Sequence, residues 1–179
     1  MKKKLIRNNV FETNSSSCHS ITINKCDSTL YGRLYPNDDG DIVFEGGEFG
    51  WGYDLYTDAP TKANYIATAI HHLENAAEDF NTANEERKKV FLHYSLPEFA
   101  DKNYFAIKSI FEKVVRNQTG CNNIIYNFST KYDSNTNHAY IDHQSFEDAK
   151  DAEWLLNEEQ IFDFIFSPNS ELVIDNDNH

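Results

Sequence analysis

The chain has 179 residues, 14% of them aromatic, and sets 29 acidic against 16 basic side chains for a formal charge of −13. That length suits one core and is short for two independent domains, and the ring content argues for a rigid core rather than disorder. The acidity speaks against a surface for nucleic acid or anionic membrane and is compatible with a cationic partner or with plain solubility.

Cys18, Cys26 and Cys121 are odd in number, lack metal-ligand spacing and come with no secretory signal, since Met-Lys-Lys-Lys leads only to Leu5 and Ile6 before Arg7. A reducing bacterial cytoplasm is the expected compartment, with neither cofactor nor metal. No run approaches the ~18 apolar residues of a membrane helix.

In chain order, Leu5–Phe11, His19–Asn24, Leu30–Tyr35 and Asp41–Glu45 are short runs of strand formers. Asn37-Asp38-Asp39-Gly40 is a turn signal that predicts a hairpin over Leu30–Glu45. Gly46–Tyr53 interleaves four glycines with acid and aromatics and reads as a surface loop presenting Phe49, Trp51 and Tyr53 beside Glu48. It matches neither a phosphate loop nor a dinucleotide fingerprint. Thr61 is a candidate cap for a helix through Phe80, on which Tyr65, Ile66, Ala69, Ile70, Leu73, Ala76, Ala77 and Phe80 recur at three and four. A second helix is predicted over Thr82–Tyr94. A third opens at Pro97, carries Ile107, Ile110, Phe111, Val114 and Val115, and stops at Gly120. Asn122–Ser129 and His138–His143 are expected to pair as a hairpin across Thr130–Asn137. Gln144–Leu156 and Glu158–Phe166 are short helical candidates, and Glu171–Asp175 is a last strand.

This order predicts a single α+β domain over 1–179: β-rich at 4–56, helical at 61–117, and mixed and acidic at 121–175. The expected architecture is a mostly antiparallel sheet with about three main helices packed on one face.

The polar island Asn14-Ser15-Ser16-Ser17-Cys18-His19-Ser20 lies between apolar runs and is built of hydroxyls, a thiol and an imidazole. Strand parity puts His19 with Ile21 and Ile23, and His143 with Ala139 and Ile141, on core-facing sides. If those strands are neighbours, the two rings lie within roughly 10 Å, a span one bridging network can cross. Two readings stay open. Ser15, Ser16 or Ser17, or Cys18, could serve as nucleophile with a histidine as base and Asp142 or Glu48 as orienting acid. Alternatively the cluster is structural, its hydroxyls and imidazoles satisfying backbone groups. No metal site is expected: His138 and Asp142 share one strand face while His143 takes the other, and His71-His72 point about 100° apart on a helix.

The aromatics of Phe49–Tyr56 could anchor a partner or fold back under the glycines. Base stacking is disfavoured, because no Lys or Arg lies between Pro36 and Pro60 to track phosphates. From Asn117 onward only Lys131 and Lys150 oppose twelve acids, among them Glu147, Asp148, Asp151 and Glu153, a cluster suited to a cationic groove.

Val10–Ser20, Gly47-Glu48-Phe49-Gly50-Trp51 and Tyr140–Ser145 together resemble a family of small proteins of bacteriophages and mobile elements in Firmicutes. The three motifs cover about a fifth of the chain and leave the helical middle unmatched. The family as a whole brings no established activity. One protein type that it looks similar to is a phage-borne anti-CRISPR protein acting on Cas9. That resemblance implies an accessory protein that works by protein binding, an acidic nucleic-acid mimic occupying the basic groove of Cas9 or of Cas9 with its guide RNA, with no direct nucleic-acid or membrane contact. No inhibitor residue carries over individually. The alternative is a small hydrolase or transferase built on the Ser/His/Asp cluster.

Overall fold

In the computed structural model, the structure describes residues 4–7, 17–26, 31–50, 53–91, 95–128, 139–141, 146 and 148–176. It is an α+β protein. A four-stranded antiparallel sheet runs in the order β1 (Lys4–Arg7), β2 (Ser17–Ile23), β8 (Glu171–Asn176), β5 (Asp54–Tyr56). Two small parallel pairs stand apart from it: β3 (Ile42–Phe44) with β6 (Ile124–Tyr126), and β4 (Glu48–Phe49) with β7 (Tyr140–Ile141).

Three helices fill the middle: α1 (Ala59–Thr82), α2 (Glu85–Phe91) and α3 (Leu96–Thr119). Asp58, not Thr61, caps α1: its carboxylate accepts the Thr61 N–H at 2.8 Å, and Pro60 sits in the first turn where its missing N–H costs nothing. α1 is buried nearly all round, from Lys62 and Ala63 through Tyr65–His71 to Leu73, as befits the central helix of the core. Gly120 ends α3 in a left-handed conformation, φ 67°, and its N–H returns to the Arg116 carbonyl. Near the C-terminus α4 (Ala149–Ala152) tightens into a 3₁₀ turn at Glu153–Leu156, and α5 (Glu158–Phe166) follows, capped by Asn157.

Both expected hairpins are corrected. Residues 31–37 form no strand; the Gly32 N–H instead donates to the Phe166 carbonyl at the end of α5, and a Cβ at Gly32 would press on Ala59. β3 pairs in parallel with β6, more than eighty residues away, and among the described residues β7 pairs with β4 and not with β6. Parallel partners need a crossover, and the three helices provide it. The segment read as the loop Gly46–Tyr53 contains β4, and within the described part of the helix expected over Gln144–Leu156 the helical residues are Ala149–Ala152, followed by the 3₁₀ turn.

In the antiparallel sheet, His19 stands opposite Ile174 and Ile21 opposite Leu172, so one face is apolar and buried. α1 and α5 cover it through Tyr65 and Phe164, whose rings meet edge to face at 6.2 Å. β5 forms one border of the sheet, with Leu55 exposed.

Candidate functional site

Strand parity places His19 as expected, inside. Its ring is 3% exposed, meets Tyr65 edge to face at 5.9 Å and has the Tyr65 hydroxyl 3.5 Å from Nδ1. Burial lowers its pKa to about 4, against the opposing pull of a hydrogen bond to the Phe49 backbone. At neutral pH the imidazole is therefore uncharged and sealed among rings. Burial and the neighbouring Asp151 carboxylate push the Tyr65 phenol in the other direction, upward, so it also stays neutral.

Phe49 is the hub of this cluster and corrects the surface-loop expectation. It is 3% exposed, lies edge to face on Tyr65 at 5.1 Å and reaches Tyr56 at 6.1 Å. Glycines flanking β4 let the backbone approach this closely. Gly46 adopts φ 79° with its N–H on the Asn64 side chain of α1, and a Cβ on Gly50 would run into the Tyr140 ring. Phe49 is in register with Ile141, and the Tyr140 N–H donates to the Gly47 carbonyl at 2.8 Å. The described parts of three segments distant in sequence, Ser17–Ser20, Gly47–Gly50 and Tyr140–Ile141, thus converge on one place. Among the described residues β2 pairs with β1 and β8 while β7 pairs with β4, and the His19 hydrogen bond to the Phe49 backbone links the two groups.

Ser17 is at the end of β2, opposite Asn176. Glu48 and Tyr53 are exposed, Tyr53 at 66%. Ser15, Ser16, Trp51, Asp142, His143 and Glu147 lie outside the described residues, as does His138, and the expected 10 Å approach of the two histidines falls there too.

The acidic cluster needs a correction as well. Asp151 is buried, because it completes a capping box: Asp151 Oδ2 accepts the Asp148 N–H at 3.0 Å while the Asp148 side chain caps the Asp151 backbone. Asp148 pairs with Lys150 at 2.9 Å, and Glu153 is exposed. Beside Asp151, Trp154 packs edge to face on Phe164 at 5.2 Å and extends the aromatic core.

Lys62 was legible only as a cation on the apolar stripe that also carries Ile66, Ala69 and Leu73. It is fully buried on α1, and its Nζ donates to the Ser167 and Ser170 carbonyls at 2.8 and 3.0 Å, tying the turn between α5 and β8. Burial lowers its pKa to about 8, although Asp58, Cys26 and Glu171 favour the charge.

An open hollow of about 360 Å³ between α3 and α5 is lined by Val114, Phe162, Asn117, Gln118, Glu158 and Glu159. Its two carboxylates already pair, Glu158 with Lys113 at 2.6 Å and Glu159 with Lys25 at 3.5 Å. Among the described residues no group of three His, Cys, Asp or Glu is placed to hold a metal ion, and no helix is long and apolar enough to cross a membrane. Comparison of the chain with protein-family models, with curated proteins and with solved structures gives no match.

Proposed function

We propose that this protein is a phage or mobile-element accessory protein that acts by binding, its acidic surface occupying the basic nucleic-acid groove of a host defence protein such as Cas9, alone or with its guide RNA. The observation that carries the reading is the charge on residues 37–59. Seven acids fall there with no Lys or Arg, and Asp38, Asp39, Glu48, Asp54 and Asp58 are all exposed. A surface of one sign steers a basic partner and raises its association rate. The resemblance of the three converging motifs to phage proteins supports the same direction. The alternative, a hydrolase or transferase, has less support: the one described histidine of its cluster, His19, is neutral, enclosed by Tyr65 and Phe49, and 3% exposed.

The test is direct binding of the purified chain to Cas9 with guide RNA, with target DNA as competitor. Expected are competition with DNA and an association rate that falls steeply as salt rises toward physiological strength, where the screening length is about 8 Å. Binding indifferent to salt, or absent, overturns the reading.

A further inference from the structure

We propose that the edge of β5 that no described strand covers is a docking strand for an extended segment of a protein partner in which Lys or Arg alternates with apolar residues. The inference rests on the binding reading above and adds to it the surface and the partner's chemistry.

Among the described residues β5 hydrogen-bonds to β8 alone, at the border of the antiparallel sheet. Leu55 is 55% exposed and stands opposite Val173, so the pair makes a small apolar strip on the outer face. Tyr53, also exposed, shares the parity of Leu55. Carboxylates surround that strip. Glu171 and Asp175 lie two residues either side of Val173 on the same face, and Asp54 and Asp58 are exposed along the edge itself. Lys62, the first cation after Pro36, is buried on the Ser167 and Ser170 carbonyls, so although Asp58 and Glu171 favour its charge it presents no cation at the surface.

An unpaired edge offers main-chain donors and acceptors, and its alternating side chains select what is added. In an added strand, the residue opposite Leu55 points to the apolar strip and its neighbour opposite Asp54 points to a carboxylate. An apolar residue and a base in alternation fit that register. A second copy does not fit, since it would set Asp54 and Asp58 against their own kind.

The probe is a fluorescein-labelled Lys-Val-Lys-Val-Lys-Val peptide, titrated by anisotropy against the full chain, with hydrogen exchange read at each amide. Expected are slowed exchange confined to residues 53–57 and β8, and affinity lowered about tenfold both by N-methylation of alternate peptide amides and by Asp54→Lys. Leu55→Thr, which keeps strand propensity, is expected to weaken binding without changing the melting temperature. Equal affinity for the N-methylated peptide, protection elsewhere, no binding at all, or a concentration-dependent dimer of the chain itself each overturns the proposal. The same Asp54→Lys chain is then offered to Cas9 with guide RNA. If that complex binds wild type and variant alike while the peptide fails to dock, the edge inference falls and the groove reading stands; if the peptide docks but the complex is ignored, the reverse holds.

Discussion

Replacing Lys62 by Met keeps most of the stem volume while removing the ammonium from the junction of α1, α5 and β8. Two effects oppose each other. The Ser170 carbonyl, within a buried residue, loses its Lys62 donor at a cost of about 1–3 kcal/mol, while the Ser167 carbonyl keeps the Ser170 N–H. Against that, the charge no longer has to be desolvated. A pKa lowered from 10.5 to about 8 means that the folded state disfavours protonated Lys62 by about 3 kcal/mol at neutral pH. The two nearly cancel, so the melting temperature at pH 7 is a poor readout. The pH dependence is a good one. Because the folded pKa is depressed, the penalty is fully present below pH 8 and is relieved as pH rises toward 10.5, where the unfolded chain also loses its proton. Wild-type unfolding free energy is therefore expected to rise by about 1 kcal/mol between pH 7.5 and 9, a window in which the tyrosines stay largely protonated. Urea unfolding followed by circular dichroism at both pH values measures it, in a Cys26→Ser background so that the nearby thiol does not titrate. Lys62→Met should be flat over the same window. A wild type that does not gain stability, or a variant that tracks it, refutes the reasoning.

His19 carries the opposite limb. Its pKa is lowered from 6.5 to about 4, so the neutral ring's contribution is fully present above pH 6.5 and is lost as pH falls toward 4, at about 2 kcal/mol by pH 5. Urea titrations at pH 7 and 5 should show that loss in the wild type and a smaller one in His19→Gln, and NMR should show the His19 ring unprotonated at pH 5.5. Phe49→Ala empties the hub of the aromatic cluster and is expected to cost about 3–5 kcal/mol in chemical denaturation, whereas an exposed anchor would cost almost nothing. Gly50→Ala should destabilise the wild type and do so much less in a Tyr140→Ala background, since the added Cβ meets that ring; additive effects in the double-mutant cycle would separate β4 from β7. Asp151→Ala removes a capping-box carboxylate and should lower stability by about 1 kcal/mol or more, while the exposed Glu153→Ala should leave it within about 0.5 kcal/mol.

The local signals in the chain proved dependable where the physics is local. The apolar spacing of α3, its stop at the left-handed Gly120 and the span of α5 follow from a 3.6-residue period and from caps a few residues away. Parity in β2 was enough to put His19 on the buried side before any partner strand was known. The same signals misled at Leu30–Glu45, where a genuine turn at Asn37–Asp41 joins an irregular segment to a strand paired elsewhere. Strands of two or three residues, such as β4 and β5, carry too few alternations to register as strands at all.

By itself, then, the sequence determined the α+β class, the central helices, the acidity and the inward turn of His19, because each depends on neighbours along the chain or on composition. Tertiary structure alone decided that β3 pairs with β6 and β4 with β7, that Phe49 is core and not surface, and that Lys62 is buried. Those outcomes hinge on partners dozens of residues away: a parallel pairing is chosen by the crossover that brings its strands together, and a charge such as this can be buried only where a distant backbone turn supplies its hydrogen bonds.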